Sequence, residues 1–221
     1  MNSTEKNMAD LQKLYNAVLN GDQKTSVAVT QEALAEGVDP MELITQYMVP
    51  AMDEVGRLFE CEEYFVPELL LSGRAMKGSL ELLRPLLAAR GDEPAGRVVI
   101  GTVKGDLHDI GKNLVASMLE GGGFDVLDLG ADVPPEKFIE AVKARNANIV
   151  CLSALLTVTM PAMRTTIDAL KQAGVREQVK IMVGGAPVTR QFADEVGADG
   201  YSDNASTAVT LARTLIGVGK S

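Results

Sequence analysis

Tryptophan is absent from the sequence and aromatic residues make up only 4% of it, so a buried core must be built mainly from aliphatic side chains and the 10 methionines. A hydrophobic content of 46% is nevertheless ordinary for a globular protein that buries a core. Basic residues are also few, since 21 lysines and arginines face 30 aspartates and glutamates and the formal net charge is −9. Because no basic patch is visible, neither nucleic acid nor an anionic membrane surface is an expected partner.

Cysteine is limited to Cys61, in an acidic turn, and Cys151, within an apolar run. These settings indicate free thiols in a reducing cytoplasm more than a disulfide or a metal pair. Residues 1–6 have neither the apolar core nor the cleavage pattern of a signal peptide, and no apolar run reaches transmembrane length. These absences predict a soluble, cytoplasmic protein without a membrane partner.

The hydrophobic pattern changes near residue 90. Up to Arg90, apolar residues recur at helical spacing, and a four-helix bundle would bury every apolar face. Pro50 is expected to kink or break the third helical segment. The polar stretch 91–96, with one proline and two glycines, is predicted to be a linker. We therefore predict an N-terminal helical bundle domain at 1–90, followed by a separate domain at 97–221.

In that second domain, short apolar runs alternate with helical patterns, which predicts an α/β fold with a flavodoxin-like or Rossmann-like parallel sheet. A helix is expected between each pair of strands. The predicted strands are Arg97–Val103, Phe124–Leu129, Ile149–Ser153 and Lys180–Gly184, with a weak fifth at Gly200–Tyr201.

His108, the only histidine in the sequence, lies in the loop after the first predicted strand. Open α/β sheets bind their ligands at the carboxyl ends of strands. Asp106 lies two residues earlier, close enough in an extended loop to accept a hydrogen bond from the imidazole and orient it. Such an imidazole can ligate a metal, transfer a proton or have no function. Gly105 and Gly111 favour a ligand, because they allow close backbone approach or positive φ.

Two further motifs, Ser153-Ala154-Leu155 and Gly184-Gly185, follow the third and fourth predicted strands. With Asp-x-His-x-x-Gly they fall at strand ends of one sheet. In this order and at these separations, the three motifs resemble the cobalamin-binding domain of the family that includes methionine synthase and the corrinoid proteins of methyltransferase systems. The helical half resembles the cap domain of its methyl-carrying members, so the resemblance extends from about Met8 to Ile216.

The resemblance implies a cobalamin or related corrinoid cofactor, with His108 as the protein ligand of its cobalt. Asp106 would accept the other imidazole N–H, and Ser153 would extend that network. The displaced dimethylbenzimidazole tail would enter a slot that small residues leave open between strand ends. Cap side chains would cover the opposite face and shield the methyl group. The implied contact residues are Gly105, Asp106, Leu107, His108, Asp109, Ile110, Gly111, Ser153, Leu155, Thr157, Val158, Gly184, Gly185, Ala186, Tyr201, Ser202 and Asp203, with Phe65, Leu69 and Met76 in the cap.

The chain looks like a bare cap and corrinoid module, which implies a methyl carrier more than a self-sufficient enzyme. Its partners would be a substrate-specific methyltransferase, an acceptor methyltransferase and a reductive activator. Methylamines, methanol, methoxylated aromatics and betaines are all served by carriers of this kind, and the acceptor is either tetrahydrofolate or coenzyme M. The sequence does not distinguish among these donors and acceptors.

Three other classes share parts of the pattern. They are the cobalamin-binding subunit of an adenosylcobalamin mutase or aminomutase, a cobalamin-binding regulatory protein, and a flavodoxin-like domain with another ligand or none. The cap bundle argues against a mutase subunit, and the lack of a basic DNA-binding segment argues against a regulator. The absorbance of the purified protein distinguishes the third class.

Overall fold

The computed structural model describes residues 3–218, with side chains from residue 11 onward. It divides into two compact units. One contains the chain up to Pro94 together with Glu120–Gly123, and the other contains Ala95–Leu119 and the chain from Phe124 onward.

The first unit is built from helices joined by short turns. They are α1 (Ser3–Leu19), α2 (Gln23–Ala35), α3 (Pro40–Glu42), a π-helix at Leu43–Met48, α4 (Val49–Glu60) and α5 (Val66–Arg90). Short polar side chains begin two of them, since Asp22 accepts from the Thr25 N–H and Asp39 from the Met41 N–H. Their apolar faces are buried together, with Leu14, Leu43, Met48, Val55 and Leu83 fully enclosed.

Pro50 disrupts the third helical segment without ending it. α3, the π-helix and α4 follow one another without a break from Pro40 to Glu60. The Val49 N–H donates to the Ile44 carbonyl, five residues back, instead of four. Pro50 therefore lies in the first turn of α4, where its missing N–H costs no hydrogen bond. The expected disruption takes the form of a widened turn.

The second unit holds a parallel sheet of five strands within the described residues. The strands are β1 (Arg97–Thr102), β2 (Asp125–Asp128), β3 (Ile149–Ser153), β4 (Lys180–Gly184) and β5 (Gly200–Tyr201). Their order is β2-β1-β3-β4-β5. The winding reverses between β1 and β3, which opens a crevice at the carboxyl ends of these two strands. The predicted α/β class and parallel sheet are confirmed.

Helices connect the strands, as expected for parallel neighbours. They are α6 (Ile110–Gly121), α7 (Pro135–Arg145), α8 (Pro161–Gln172), a 3₁₀ turn at Arg176–Gln178, α9 (Arg190–Val196) and α10 (Ala205–Leu215). Val99, Val150 and Ile181 from the strands form one buried cluster with Phe138 and Ile167 from the helices. Within residues 3–218, no helix has both the length and the hydropathy required to cross a membrane.

Candidate functional site

The loop between β1 and α6 carries His108 and lies at the crevice that the strand order creates. Thr102, the last residue of β1, pairs with Ser153, the last residue of β3. Ser153 pairs in turn with Gly184 at the end of β4. Hence all three sequence motifs follow the carboxyl ends of neighbouring strands. The register of the strands places their loops side by side.

Asp106 is buried between the loops that follow β1 and β3. Its carboxylate is fully enclosed, and its Oδ1 accepts from the His108 N–H at 3.0 Å and lies 2.7 Å from His108 Nδ1. Its Oδ2 accepts from the Leu155 N–H at 2.8 Å, from the Leu156 N–H at 3.3 Å and from the Thr159 hydroxyl at 2.6 Å. One carboxylate therefore joins the loop after β1 to the loop after β3.

The ionised form of Asp106 is strongly favoured. Burial by itself would raise the pKa of Asp106, but the donors from Thr159, the His108 backbone, Leu155 and the imidazole outweigh it. The net result is a pKa well below the usual range of an aspartate. An ionised carboxylate has no proton to give, so Nδ1 of His108 must be the donor in their contact.

That assignment fixes the tautomer of a neutral His108. With the proton on Nδ1, the lone pair of the neutral ring is on Nε2. The side chain is 49% exposed. A carboxylate on one ring nitrogen and an accessible lone pair on the other is the usual arrangement of a metal-ligating histidine.

Thr159 is a site residue that the sequence analysis missed. Its hydroxyl donates to Asp106 Oδ2 at 2.6 Å and lies 2.8 Å from the Leu156 carbonyl. The expectation assigned this role to Ser153, but the hydroxyl that reaches the carboxylate among the described residues is that of Thr159. The local signal was only a threonine two residues before Pro161, the proline that opens α8; in the structure this threonine is 8% exposed.

Lys112 was also missed. It follows Gly111 in the first turn of α6, and its side chain is only 1% exposed. Its ammonium group pairs with Asp128 at the end of β2 and with Asn113. A buried lysine requires such a partner, because an unpaired charge is costly away from water. This ion pair fixes the start of α6 against the end of β2. The His108 loop leads directly into α6.

The two loops joined by Asp106 expose large apolar side chains. Leu107 is 76% exposed, Ile110 75% and Val158 80%. Leu155 and Leu156 are 43% and 42% exposed. Exposed apolar side chains that cluster in this way, beside one half-exposed imidazole, are typical of a binding surface for a large apolar ligand. Leu156 had not been predicted to belong to it.

Gly185 marks a close backbone approach between the loops after β3 and β4. A Cβ atom at Gly185 would lie 1.9 Å from the carbonyl oxygen of Ala154, and its φ of +131° is disfavoured for other residues. The Ala154 N–H donates to the Gly184 carbonyl at 3.3 Å. Only glycine fits this position, so the two loops form one continuous wall.

The other predicted residues of this unit lie on the same edge of the sheet. Tyr201 ends β5, with the Arg190 guanidinium 5.9 Å from its ring centre. The Ser202 hydroxyl contacts Thr207 at 2.6 Å, in the turn that begins α10. Gly105, Asp109, Gly111, Thr157, Ala186 and Asp203 are exposed in the loops or first helical turns.

The three predicted cap residues belong to the other unit. Leu69 and Met76 on α5 are fully buried, whereas Phe65 is 62% exposed at the start of that helix. Their contact with a cofactor stays a prediction. Both cysteines are free, and burial raises the pKa of the Cys151 thiol to about 12.

Family models match both parts of the chain. Residues 96–210 match a model described as B12 binding domain, and residues 10–84 match a second model with the same description. The first match covers the whole sheet and every loop motif. The second falls within the helical part.

Similar proteins cover almost the full length. Trimethylamine corrinoid protein 1 of Methanosarcina acetivorans is 44% identical over 92% of this chain and 95% of its own. Dimethylamine corrinoid protein 1 of the same organism is 43% identical over 93% and 97%. Among solved structures, the methanol:cobalamin methyltransferase complex from Methanosarcina barkeri matches with a TM-score of 0.84 and 30% identity, over 96% of this chain and 81% of that chain.

Proposed function

This chain belongs to the B12-binding family of corrinoid proteins, and from that premise we propose that it carries a methyl group on a bound corrinoid between two methyltransferases. The observation that carries the proposal is the orientation of His108 by Asp106. The carboxylate holds Nδ1 protonated and leaves Nε2 with its lone pair. A nitrogen with a free lone pair on a half-exposed ring can serve as a ligand of cobalt.

The described residues fit a corrinoid in three respects. Leu107, Ile110 and Val158 offer an exposed apolar surface beside the imidazole. Gly185 leaves no side chain on the wall between the loops after β3 and β4. The donor set contains one imidazole nitrogen, which is sufficient for a metal that is otherwise held by a macrocycle. His108 and its two loops would therefore hold the cofactor at the carboxyl edge of the sheet.

When bound, a corrinoid supplies a cobalt that can accept and release a methyl group. The protein sets how strongly Nε2 of His108 donates to the metal. Asp106 makes the ring a better donor by accepting its Nδ1 proton. Thr159 holds that carboxylate in place by donating its hydroxyl to Oδ2.

The partners follow from the carrier role. We propose a substrate-specific methyltransferase as methyl donor, an acceptor methyltransferase and a reductive activator that restores the cobalt after oxidation. The similar proteins named for dimethylamine and trimethylamine support a methylamine as the source of the methyl group. We also propose a cytoplasmic location, consistent with free thiols at Cys61 and Cys151.

Selective isotope labelling tests the ligand directly, because His108 is the only histidine in the chain. The protein is expressed without a histidine tag in the presence of ¹⁵N-histidine and loaded with cobalamin. If His108 ligates cobalt, the nitrogen superhyperfine pattern of the cobalt(II) electron paramagnetic resonance changes from triplets to doublets. The tail of the cofactor is unlabelled, so it cannot produce that change.

The matched control is His108→Ala, in which the label has no imidazole to enter and the spectrum should not respond. A wild-type spectrum that is identical with and without the label would overturn the assignment of His108. The carrier role has its own test: methyl-loaded protein should complete a single transfer to an acceptor methyltransferase, and repeated turnover should require the donor enzyme as well.

A further inference from the structure

Asp132 lies in the loop between β2 and α7 and has an unusual backbone. Its φ is +55°, in the left-handed region that is uncommon for residues other than glycine, although asparagine and aspartate adopt it more often than most. A conformation of this kind persists only where surrounding contacts hold it, and such positions concentrate at functional sites. Asp132 was not selected from the sequence, since nothing in Gly130-Ala131-Asp132-Val133 indicates a function by itself.

Asp132 holds the backbone on both sides of Asp106. Its Oδ1 accepts from the Gly105 N–H at 2.8 Å, and its own N–H donates to the Asp106 carbonyl at 2.9 Å. The left-handed turn is what lets one residue present its carboxylate and its N–H to the same short stretch. The two hydrogen bonds bracket the residue that orients His108.

The charge of this clamp is balanced locally. Lys104 Nζ lies 3.1 Å from Oδ1 and 3.2 Å from Oδ2 of Asp132. The hydrogen bond from Gly105 and the neighbouring Lys104 ammonium lower the pKa of Asp132, so the acceptor is ionised at neutral pH. Lys104 therefore neutralises the carboxylate that accepts from the Gly105 amide.

A second connection leads from the same loop to His108. The Thr102 N–H donates to the Gly130 carbonyl at 3.0 Å, and the Thr102 hydroxyl donates to the His108 carbonyl at 2.9 Å. Gly130 is itself held by Asp128, which pairs with the buried Lys112. The loop from Asp128 to Asp132 thus fixes the backbone of the His108 loop, whereas Thr159 fixes the carboxylate of Asp106 from the other side.

We propose that Asp132 is a positioning residue that holds the Asp106 backbone and thereby aims Nε2 of His108 at the cofactor. The inference rests on the proposed function, since it concerns the axial ligand of that site. Its physical basis is orientation. Asp132 holds the Lys104–Gly105 and Asp106–Leu107 peptide groups. Rotation of these groups would move the carboxylate that fixes the imidazole, and a ligand nitrogen tolerates only small errors in distance and angle.

Two substitutions separate the carboxylate oxygen from the backbone conformation. Asp132→Gly keeps the positive φ at no steric cost but removes the acceptor of the Gly105 N–H. Asp132→Asn keeps both a tolerated positive φ and a side-chain oxygen, and removes only the charge. Asn146→Gly serves as the matched control, because Asn146 also has a positive φ, 48°, but ends α7 away from the three loop motifs.

The full-length apo-protein of each variant is titrated with cobalamin, and the cobalt(II) spectrum is recorded with ¹⁵N-histidine. In Asp132→Gly, the dissociation constant should rise about 5- to 10-fold, the net effect expected from the loss of one hydrogen bond. The labelled-imidazole share of the spectrum should fall. In Asp132→Asn the constant should change by less than about 2-fold, with the spectrum largely restored, and Asn146→Gly should bind as the wild type does.

The outcomes separate this inference from the proposed function. If wild-type protein binds no cobalamin, or shows no effect of the label, the proposed function itself fails. If wild-type protein shows the label and Asp132→Gly has the same affinity and spectrum, only the positioning role of Asp132 is refuted. A spectrum unchanged in Asp132→Gly with only thermal stability reduced would show that Asp132 merely supports the fold.

Discussion

The carboxylate of Asp106 is the most sensitive point of the site, and Asp106→Asn tests it with almost no change in volume. The carboxylate is fully buried and accepts from five donor atoms among the described residues. An amide offers only one oxygen and presents an N–H₂ group where the second oxygen was. The substitution therefore cannot preserve the pattern in either orientation of the amide.

The structure gives the consequence of each orientation. If the amide nitrogen faces the loop after β3, the N–H groups of Leu155 and Leu156 lose their acceptor. If it faces His108, the backbone N–H of His108 meets another donor, and Nδ1 must become an acceptor. The imidazole proton then moves to Nε2, which removes the lone pair that a metal would use. The second case removes the nitrogen lone pair that would ligate the cobalt, and the first takes the acceptor away from two backbone N–H groups.

We expect Asp106→Asn to weaken axial ligation by about 10- to 100-fold, the usual effect of removing the partner of a metal-bound histidine, which equals about 1.4–2.7 kcal/mol. The cobalt(II)/cobalt(I) potential should move to less negative values, because the oxidised state loses more axial support than the reduced state. Methyl transfer should slow without vanishing, since the cofactor carries the chemistry.

The assay is spectroelectrochemical titration of wild type and variant at one pH, with the ¹⁵N-histidine spectrum recorded on the same samples. The spectrum reports the share of cobalt(II) bound to His108, so it separates a loss of ligation from a general loss of cofactor. An unmoved potential together with an unchanged spectrum would refute the reasoning, and would leave Asp106 a residue that only joins two loops.

Three further outcomes follow from the same geometry. Thr159→Val should weaken cobalamin binding several-fold in titrations, because it removes the 2.6 Å donor to Asp106, whereas Ser153→Ala should change it little; the reverse order would contradict the contacts. Gly185→Ala should destabilise the apo-protein by about 1–3 kcal/mol or more in urea unfolding, and Gly111→Ala, whose added Cβ meets nothing within 4 Å, should not. The folded-state pKa of Asp106 is lowered, so the apo wild type should lose its stability advantage over Asp106→Asn as the pH falls below about 4, where the unfolded carboxyl takes up its proton. Equal differences at pH 5 and pH 3 would show that Asp106 contributes no such linkage.

The local sequence pattern was sufficient to predict the strands of the sheet and the position of His108. The strands at Ile149–Ser153 and Lys180–Gly184 have the predicted bounds, because β-branched and aliphatic runs that end in small residues are strand signals in themselves. The placement of His108 beside Asp106 was also local, since two residues in one extended loop are within reach whatever the rest of the chain does. The 2.7 Å contact between Asp106 Oδ1 and Nδ1 agrees with that expectation.

Only the tertiary structure decided which other residues complete the site. Thr159 is 53 positions from Asp106 and donates to it because β3 pairs with β1 in register, which places the loop after β3 against the loop after β1. Asp132 contacts Gly105 because β2 lies on the other side of β1. The sequence by itself determined the pairing of His108 with Asp106, which depends on neighbours along the chain. The close approach of Gly185 to Ala154 depends on the pairing of β3 with β4. The hydroxyl and the clamp depend on strand order and register, since no local pattern encodes which distant loops meet.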